Sequence, residues 1–164
     1  KIRYSKENSP LGTVGPLASI GGLDKTFLVM NGDVLSTISF SKLIAYHRAK
    51  KGIATIAVSR RTQDVDYGVI SLDKDDNLRT YVEKPKLNYD VSMGIYIFEP
   101  EILKYIPKGE KLDFPDLIIK LIKRKKKVSG YLSNDKWLDI GRHDDYEIAQ
   151  NEFNLLKHKL FSSK

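Results

Sequence analysis

Apolar and polar positions fall in blocks along the chain, and the blocks switch between the strand period and the helix period. The short, unbroken run Thr26-Phe27-Leu28-Val29-Met30 predicts a buried parallel strand. Ser39 or Ser41 then caps a helix with Phe40, Leu43, Ile44 and His47 at helical spacing, and Gly52 is its expected stop. Ile53 to Val58 is the next apolar run, so Thr26 to Val58 reads as strand, helix, strand, a parallel crossover. Tyr67 to Leu72 and Leu78 to Val82 flank the polar tip Asp73-Lys74-Asp75-Asp76-Asn77, which predicts a hairpin. Val91 to Phe98 predicts a further strand, closed by Glu99-Pro100 at the start of a short helix to Tyr105. Asp113 or Asp116 caps a helix whose apolar residues are Leu117, Ile118, Leu121 and Ile122. Val128 to Leu132 predicts a short strand. Asp144 to about Leu160 predicts an amphipathic helix with Tyr146, Ile148, Ala149, Phe153, Leu156 and Leu160 inward.

This alternation defines an α/β chain, a mixed and mainly parallel sheet flanked by helices, with an antiparallel hairpin inserted late. No internal repeat, low-complexity tract or Pro/Gly-rich linker interrupts it. Residues 1–164 therefore read as a single domain, long enough for a sizeable core.

Charge narrows the partners. The formal net charge is +7, which favours anionic ligands such as nucleotides and sugar phosphates. Much of the excess lies in Lys123-Arg124-Lys125-Lys126-Lys127, a run that equally suits the solvated end of a helix. Nucleic-acid surfaces interleave aromatic residues with their basic ones, and this run has none, so nucleic acid is disfavoured as a partner. With no cysteine, disulfides and thiolate metal sites are excluded, which fits a reducing compartment. No apolar run approaches the roughly 20 residues that span a bilayer, and no signal peptide is visible. A cytoplasmic location without membrane contact is expected.

Five segments at the ends of predicted strands can carry chemistry. Pro10-Leu11-Gly12-Thr13-Val14-Gly15 leads into an apparent helix, where glycines permit close backbone approach to a ligand. Asn31-Gly32-Asp33 ends the first strand and presents an acid at the carboxyl end of the sheet, where ligands of open α/β folds bind. By itself Gly32-Asp33 is equally a turn with an Asp side-chain cap. Gly68, in Asp66-Tyr67-Gly68-Val69, lets a sugar ring lie against the backbone, or marks a strand start. Glu83-Lys84-Pro85 sets a carboxylate beside an ammonium, suited to sugar hydroxyls and a phosphate, or to a plain exposed pair. Trp137-Leu138-Asp139-Ile140-Gly141 offers a second acid beside a tryptophan read as core. Asp33 and Asp139 are hard oxygen donors suited to magnesium rather than zinc. His47, His143 and His158 lack ligand spacing and read as structural or surface residues. No nucleophile elbow or Walker lysine loop is present.

In this order the segments resemble the sugar-phosphate nucleotidyltransferases, the nucleotide-sugar pyrophosphorylases. The resemblance rests on Pro10 to Gly15, Leu28 to Asp33, Tyr67-Gly68-Val69, Val82 to Pro85, Met93-Gly94-Ile95-Tyr96-Ile97-Phe98 and Trp137 to Gly141, and reaches to about Ala149. Val91-Ser92-Met93-Gly94 followed by Asp113-Phe114-Pro115-Asp116 looks most like the bacterial branch acting on mannose-like, heptose or amino-sugar 1-phosphates, often with GTP. The resemblance implies that Leu11, Gly12 and Thr13, with Gly32, face the nucleotide. It implies that Asp33 and Asp139 hold Mg2+, that Gly68, Glu83, Ser92 and Gly94 face the sugar, and that Lys84 meets its phosphate. Asp33, Lys84 and Asp139 would be the catalytic set. The implied reaction joins an NTP and a sugar 1-phosphate into an NDP-sugar with release of pyrophosphate, a step in nucleotide-sugar and surface-polysaccharide precursor synthesis.

Two departures stand out. The family opens with a strand and a glycine-rich triphosphate loop that this chain lacks, and the residue before Met93-Gly94 is Ser92 where Asn is common. The chain is expected to correspond to the larger C-terminal part of such a domain. Alone it is expected to fold poorly or self-associate as a homo-oligomer, and to transfer little. The alternative is a catalytically inactive nucleotide-sugar-binding regulatory module of the same fold. The intact Asp33, Lys84 and Asp139 weigh against that alternative, and the absent loop weighs for it.

Overall fold

Six consecutive residues of one strand, Met93 to Phe98, are buried. A strand achieves this only when both of its faces are covered. It is the buried half of β6 (Lys86–Phe98), and the rest of the fold is arranged around it. The computed structural model describes residues 2–141 and 143–160, the last of these as backbone alone at 144, 152 and 154–160. In chain order β6 is preceded by β1 (Phe27–Met30), β2 (Val34–Ser36), α1 (Phe40–Lys50), β3 (Ala54–Asp64), β4 (Val69–Leu72) and β5 (Leu78–Val82). It is followed by α2 (Phe114–Lys123), β7 (Val128–Ser133), β8 (Trp137–Asp139) and α3 (His143–Leu160).

The main sheet has the order β1-β6-β3-β7. β6 pairs antiparallel with β1 on one edge and with β3 on the other, and β3 pairs parallel with β7. Three strands thus run one way and β6 runs against them, a mixed sheet within an α/β fold. Residues Thr26 to Met30 depart from the expected buried parallel strand. β1 lies at the sheet edge, half-buried, and its pairing is antiparallel because β6 intervenes between it and β3. β2 and β8 form a separate two-stranded ribbon, as do β4 and β5. The hairpin is as expected; the three-residue β2 is an element that hydrophobic period alone does not announce.

The two faces of β6 define two cores. On one, Tyr96 and Phe98 stack with Phe114 of α2, the ring centroids of Tyr96 and Phe114 lying 4.2 Å apart. Leu117 and Leu121 of α2 are fully buried in this core, whereas Ile122 is 59% exposed, so the helix is rotated from the symmetric face its sequence predicts. On the other face, Met93, Ile95 and Ile97 pack with Leu43 of α1, Ile38 and Ala57. Each fully buried side chain of this kind contributes about 1.5–3 kcal/mol, so the two cores dominate the stability of the sheet.

Helix boundaries follow local chemistry. Ser39, rather than Ser41, caps α1 by accepting from the Lys42 N–H. Lys51, rather than Gly52, closes it in the left-handed conformation (φ 50°), its N–H donating to the His47 carbonyl. Of the inner face expected for α3, Ala149 is buried while Tyr146, Ile148 and Phe153 are each more than two-fifths exposed. α3 meets the rest of the protein near its start, where Asp145 accepts from the Asp139 N–H of β8. The side chains of His158, Leu156 and Leu160 lie outside the described residues.

His47 is a structural histidine. It is buried, with Nδ1 2.8 Å from Thr55 Oγ1 and Nε2 3.0 Å from Glu99 Oε1, and Thr26 donates its hydroxyl to the same carboxylate oxygen. Because a carboxylate only accepts, the Nε2 nitrogen carries hydrogen and the Thr55 hydroxyl donates to Nδ1 in the neutral tautomer. The network ties α1, β3 and the end of β6 together. Replacing His47 by Leu strands the buried Thr55 hydroxyl and should cost about 1–3 kcal/mol in urea unfolding. Adding Thr55→Val removes the stranded donor and should recover part of that loss.

Candidate active site

The strand register of β6 breaks where the candidate site begins. Ile56 pairs with Tyr96 and Val58 with Ser92, so Ala57 alone faces Met93, Gly94 and Ile95. Gly94 sits in this bulge at φ +70°, a conformation that favours glycine. The close approach of Asn31 adds a second demand, since a Cβ on Gly94 would lie 2.8 Å from Asn31 Nδ2 and 3.2 Å from Val34 Cγ2. The Asn31 N–H donates to the Gly94 carbonyl at 2.9 Å, extending the β1–β6 ladder by one step. Ser92 is exposed, and its hydroxyl accepts from the Gly94 N–H at 3.3 Å.

Beyond Asn31 the chain turns through Gly32-Asp33 into β2, which pairs with β8 in the register Val34↔Asp139, Leu35↔Leu138, Ser36↔Trp137. This pairing brings two distant carboxylates together. A Cβ on Gly141 would stand 3.1 Å from Asp33 Oδ2 and 3.2 Å from Asp139 Oδ1, so both acids face one point of the Gly141 backbone. The backbone is fixed there: the Ile140 N–H donates to the Asp33 carbonyl, and the Gly141 N–H to Asp139 Oδ1. Asp145 of α3 accepts from the Asp139 N–H and so ties α3 to this corner. Trp137, half-buried and packed against the core of Met93, Ile95 and Ile97, donates its indole N–H to the Met93 carbonyl at 2.8 Å, and the Arg61 guanidinium lies over its ring at 4.8 Å.

The loop Leu11-Gly12-Thr13 is bound elsewhere, to the segment entering α2. Asp113 Oδ1 accepts from the Thr13 N–H (2.8 Å) and hydroxyl (3.1 Å), and the Thr13 hydroxyl oxygen accepts from the Phe114 N–H. Thr13, not Asp113, therefore supplies the side-chain oxygen that caps α2. The Leu112 carbonyl accepts from the Val14 and Gly15 N–H groups; Gly12 is at φ +77°, and a Cβ there would fall 2.6 Å from that oxygen. The Thr13 backbone N–H, then its hydroxyl, hold the Asp113 carboxyl below the usual carboxylate range.

Glu83 and Lys84 follow β5 on the hairpin. Lys84 takes a left-handed backbone (φ 43°) and its N–H donates to the Tyr67 carbonyl. Glu83 accepts from the Tyr81 hydroxyl at 2.8 Å. The Tyr81 ring lies against Gly68, where a Cβ would fall 2.5 Å from Tyr81 Cζ.

The structure thus brings Asp33, Asp139 and Gly94 to one corner. Gly32 borders that corner, and a Cβ there would meet nothing within 4 Å. Leu11, Gly12 and Thr13 are gathered at the entrance to α2, and Gly68, Glu83 and Lys84 on the hairpin. Among the described residues no hydrogen bond or ion pair joins the three groups. Asn31, Tyr81 and Asp145 escaped the sequence reading as participants, and Asp113 entered it only as a helix cap and as part of a motif. Asn31 carried a signal in its place inside Asn31-Gly32-Asp33.

Comparison with known proteins places this geometry in a family. The nucleotidyl transferase family profile matches residues 1–154, and the chain belongs to that family. It is 35% identical over 147 residues to a UTP–glucose-1-phosphate uridylyltransferase of Synechocystis sp., covering 83% of this chain and 38% of that protein. It is 35% identical over 158 residues to a probable mannose-1-phosphate guanylyltransferase 2 of Arabidopsis thaliana, covering 89% of this chain and 42% of that protein. The chain therefore spans about two-fifths of the length of these relatives. The crystal structure of HddC from Yersinia pseudotuberculosis complexed with GMP-PN superposes with a TM-score of 0.63 at 25% identity, covering 90% of this chain and 64% of that one.

The Thr13–Asp113 clasp has a pH signature. A carboxyl whose folded pKa is lowered stabilises the fold above its ordinary pKa, about 4, and that contribution is lost as pH falls through the lowered value. Asp113→Ala should therefore lower the urea midpoint at pH 7. The gap between variant and parent should narrow as unfolding is repeated toward pH 3.

Proposed function

We propose that this chain supplies the acidic corner and the sugar side of an enzyme that transfers a nucleotidyl group from an NTP to a sugar 1-phosphate. The observation that carries this reading is the convergence of Asp33 and Asp139, from the two strands of the β2–β8 ribbon, onto Gly141. Two carboxylate oxygens suit a hard cation that keeps much of its water, as magnesium does. Asp33 and Asp139 would hold it, and its charge would offset that of the phosphates.

In this reading an oxygen of the sugar phosphate attacks the α-phosphorus, the bond from that phosphorus to the bridging oxygen breaks, and pyrophosphate leaves. No protein nucleophile takes part; positioning and charge neutralisation lower the barrier. Lys84 meets the phosphate of the sugar as a point charge, and Glu83 accepts from its hydroxyls. Ser92 and Gly94 border the sugar at the bulge of β6. Leu11, Gly12 and Thr13, held by Asp113, border the nucleobase. GTP and a mannose-like, heptose or amino-sugar 1-phosphate are the favoured pair, supported by the guanylyltransferase relative and by the GMP-PN complex of HddC.

The test is pyrophosphate release by the complete gene product with GTP, mannose 1-phosphate and magnesium. Asp33→Asn removes one carboxylate charge from an exposed position and should lower kcat on the order of a hundredfold while leaving thermal unfolding unchanged. Lys84→Ala should mainly raise KM for mannose 1-phosphate. Unaltered pyrophosphate release by Asp33→Asn would overturn the reading.

A further inference from the structure

Glu83 is held on two sides before any ligand arrives. Its backbone is fixed by the left-handed turn at Lys84, whose N–H donates to Tyr67. Its side chain is fixed by Tyr81, two residues earlier, just before β5 ends. The Tyr81 hydroxyl donates to Oε2, and Oε1 has no protein partner among the described residues. One carboxylate oxygen is anchored and the other is presented. Gly68 makes this possible, since any larger residue would push the Tyr81 ring out of place.

Tyr81 does little else. The residue is 61% exposed, and its hydroxyl has Glu83 as its hydrogen-bond partner. A free glutamate side chain samples many rotamers and loses that freedom when it binds a hydroxyl, whereas a glutamate already pinned does not. With Oε2 engaged by Tyr81, Oε1 keeps its lone pairs for an incoming donor.

From this geometry we infer that Tyr81 is a positioning residue that pre-orients Glu83 toward a hydroxyl of the sugar ring, with Gly68 as the space that admits it. The inference rests on the sugar-binding role proposed for Glu83. It assigns to Gly68 a part in holding Tyr81 rather than direct contact with the sugar.

The experiment is steady-state kinetics of the complete gene product with GTP and mannose 1-phosphate, for Tyr81→Phe, Glu83→Ala, the double variant and Gly68→Ala. Tyr81→Phe keeps the ring and deletes one hydrogen bond to a charged group. It should raise KM for mannose 1-phosphate about three- to tenfold, with kcat, KM for GTP and the thermal midpoint unchanged. Gly68→Ala should reproduce that pattern, and the double variant should match Glu83→Ala alone, the mark of two groups acting as one unit. If Glu83→Ala raises KM but Tyr81→Phe does not, or if the two effects add, the positioning role is overturned and the sugar-binding reading stands. If Glu83→Ala leaves KM unchanged, both fall. A lowered thermal midpoint with a uniform loss of kcat in Tyr81→Phe would assign Tyr81 to the hairpin fold and overturn the inference.

Discussion

Everything in this fold leans on a strand that is paired along both edges and buried on both faces. β6 accepts β1 on one side and β3 on the other, and from Met93 to Phe98 it has no solvent-facing side chain. Such a strand must be apolar on both faces and must be covered by helices on both. α1 and α2 meet that demand, one on each core. Where β6 leaves the double cover the requirement lapses, and its first residues, Lys86 to Asp90, are exposed along the ribbon that leads to the hairpin. The bulge at Gly94 marks the transition between the two regimes, and the acidic corner is built against it.

The second level of organisation is long-range and polar. Thr13 meets Asp113, and Ser36 meets Lys136, each across 100 residues of sequence. Exposed hydrogen bonds of this sort contribute about 1 kcal/mol apiece, well below what a single buried leucine adds. They do not hold the sheet together. They decide where its peripheral loops come to rest, and so where Asp33 lies relative to Asp139 and where Thr13 lies relative to α2. A core of this depth can tolerate weak peripheral clasps, and functional loops commonly rest on such rigid scaffolds.

How much of this was readable from residues alone follows from the range of the forces involved. Apolar period and caps act within a few residues. They revealed the Met93–Phe98 run, α1 with Ser39, α2 with Leu117 and Leu121, and the hairpin around Asp73–Asn77. The direction of β1's pairing did not follow, because it depends on β6, which arrives more than fifty residues later. β2 and β8 are three residues each and owe their existence to one another. Motif order supplied what period did not: Asp33 and Asp139 were singled out as a pair, and the β2–β8 register is what brings them to one backbone point. Tyr81 acts by a side-chain contact that no local pattern encodes, and Asp113, legible as a helix start, has a partner 100 residues away that no local pattern names.

Trp137 is the only tryptophan in the sequence. Its indole nitrogen is bonded to the carbonyl that precedes Gly94, its face is covered by the Arg61 guanidinium, and its strand carries Asp139 two residues on. The tryptophan emission of this chain therefore has a single source, seated at the wall of the acidic corner. A shift of charge at Arg61 or of backbone at Met93 changes the field around that one chromophore, so the chain carries an intrinsic optical probe of this corner without any label.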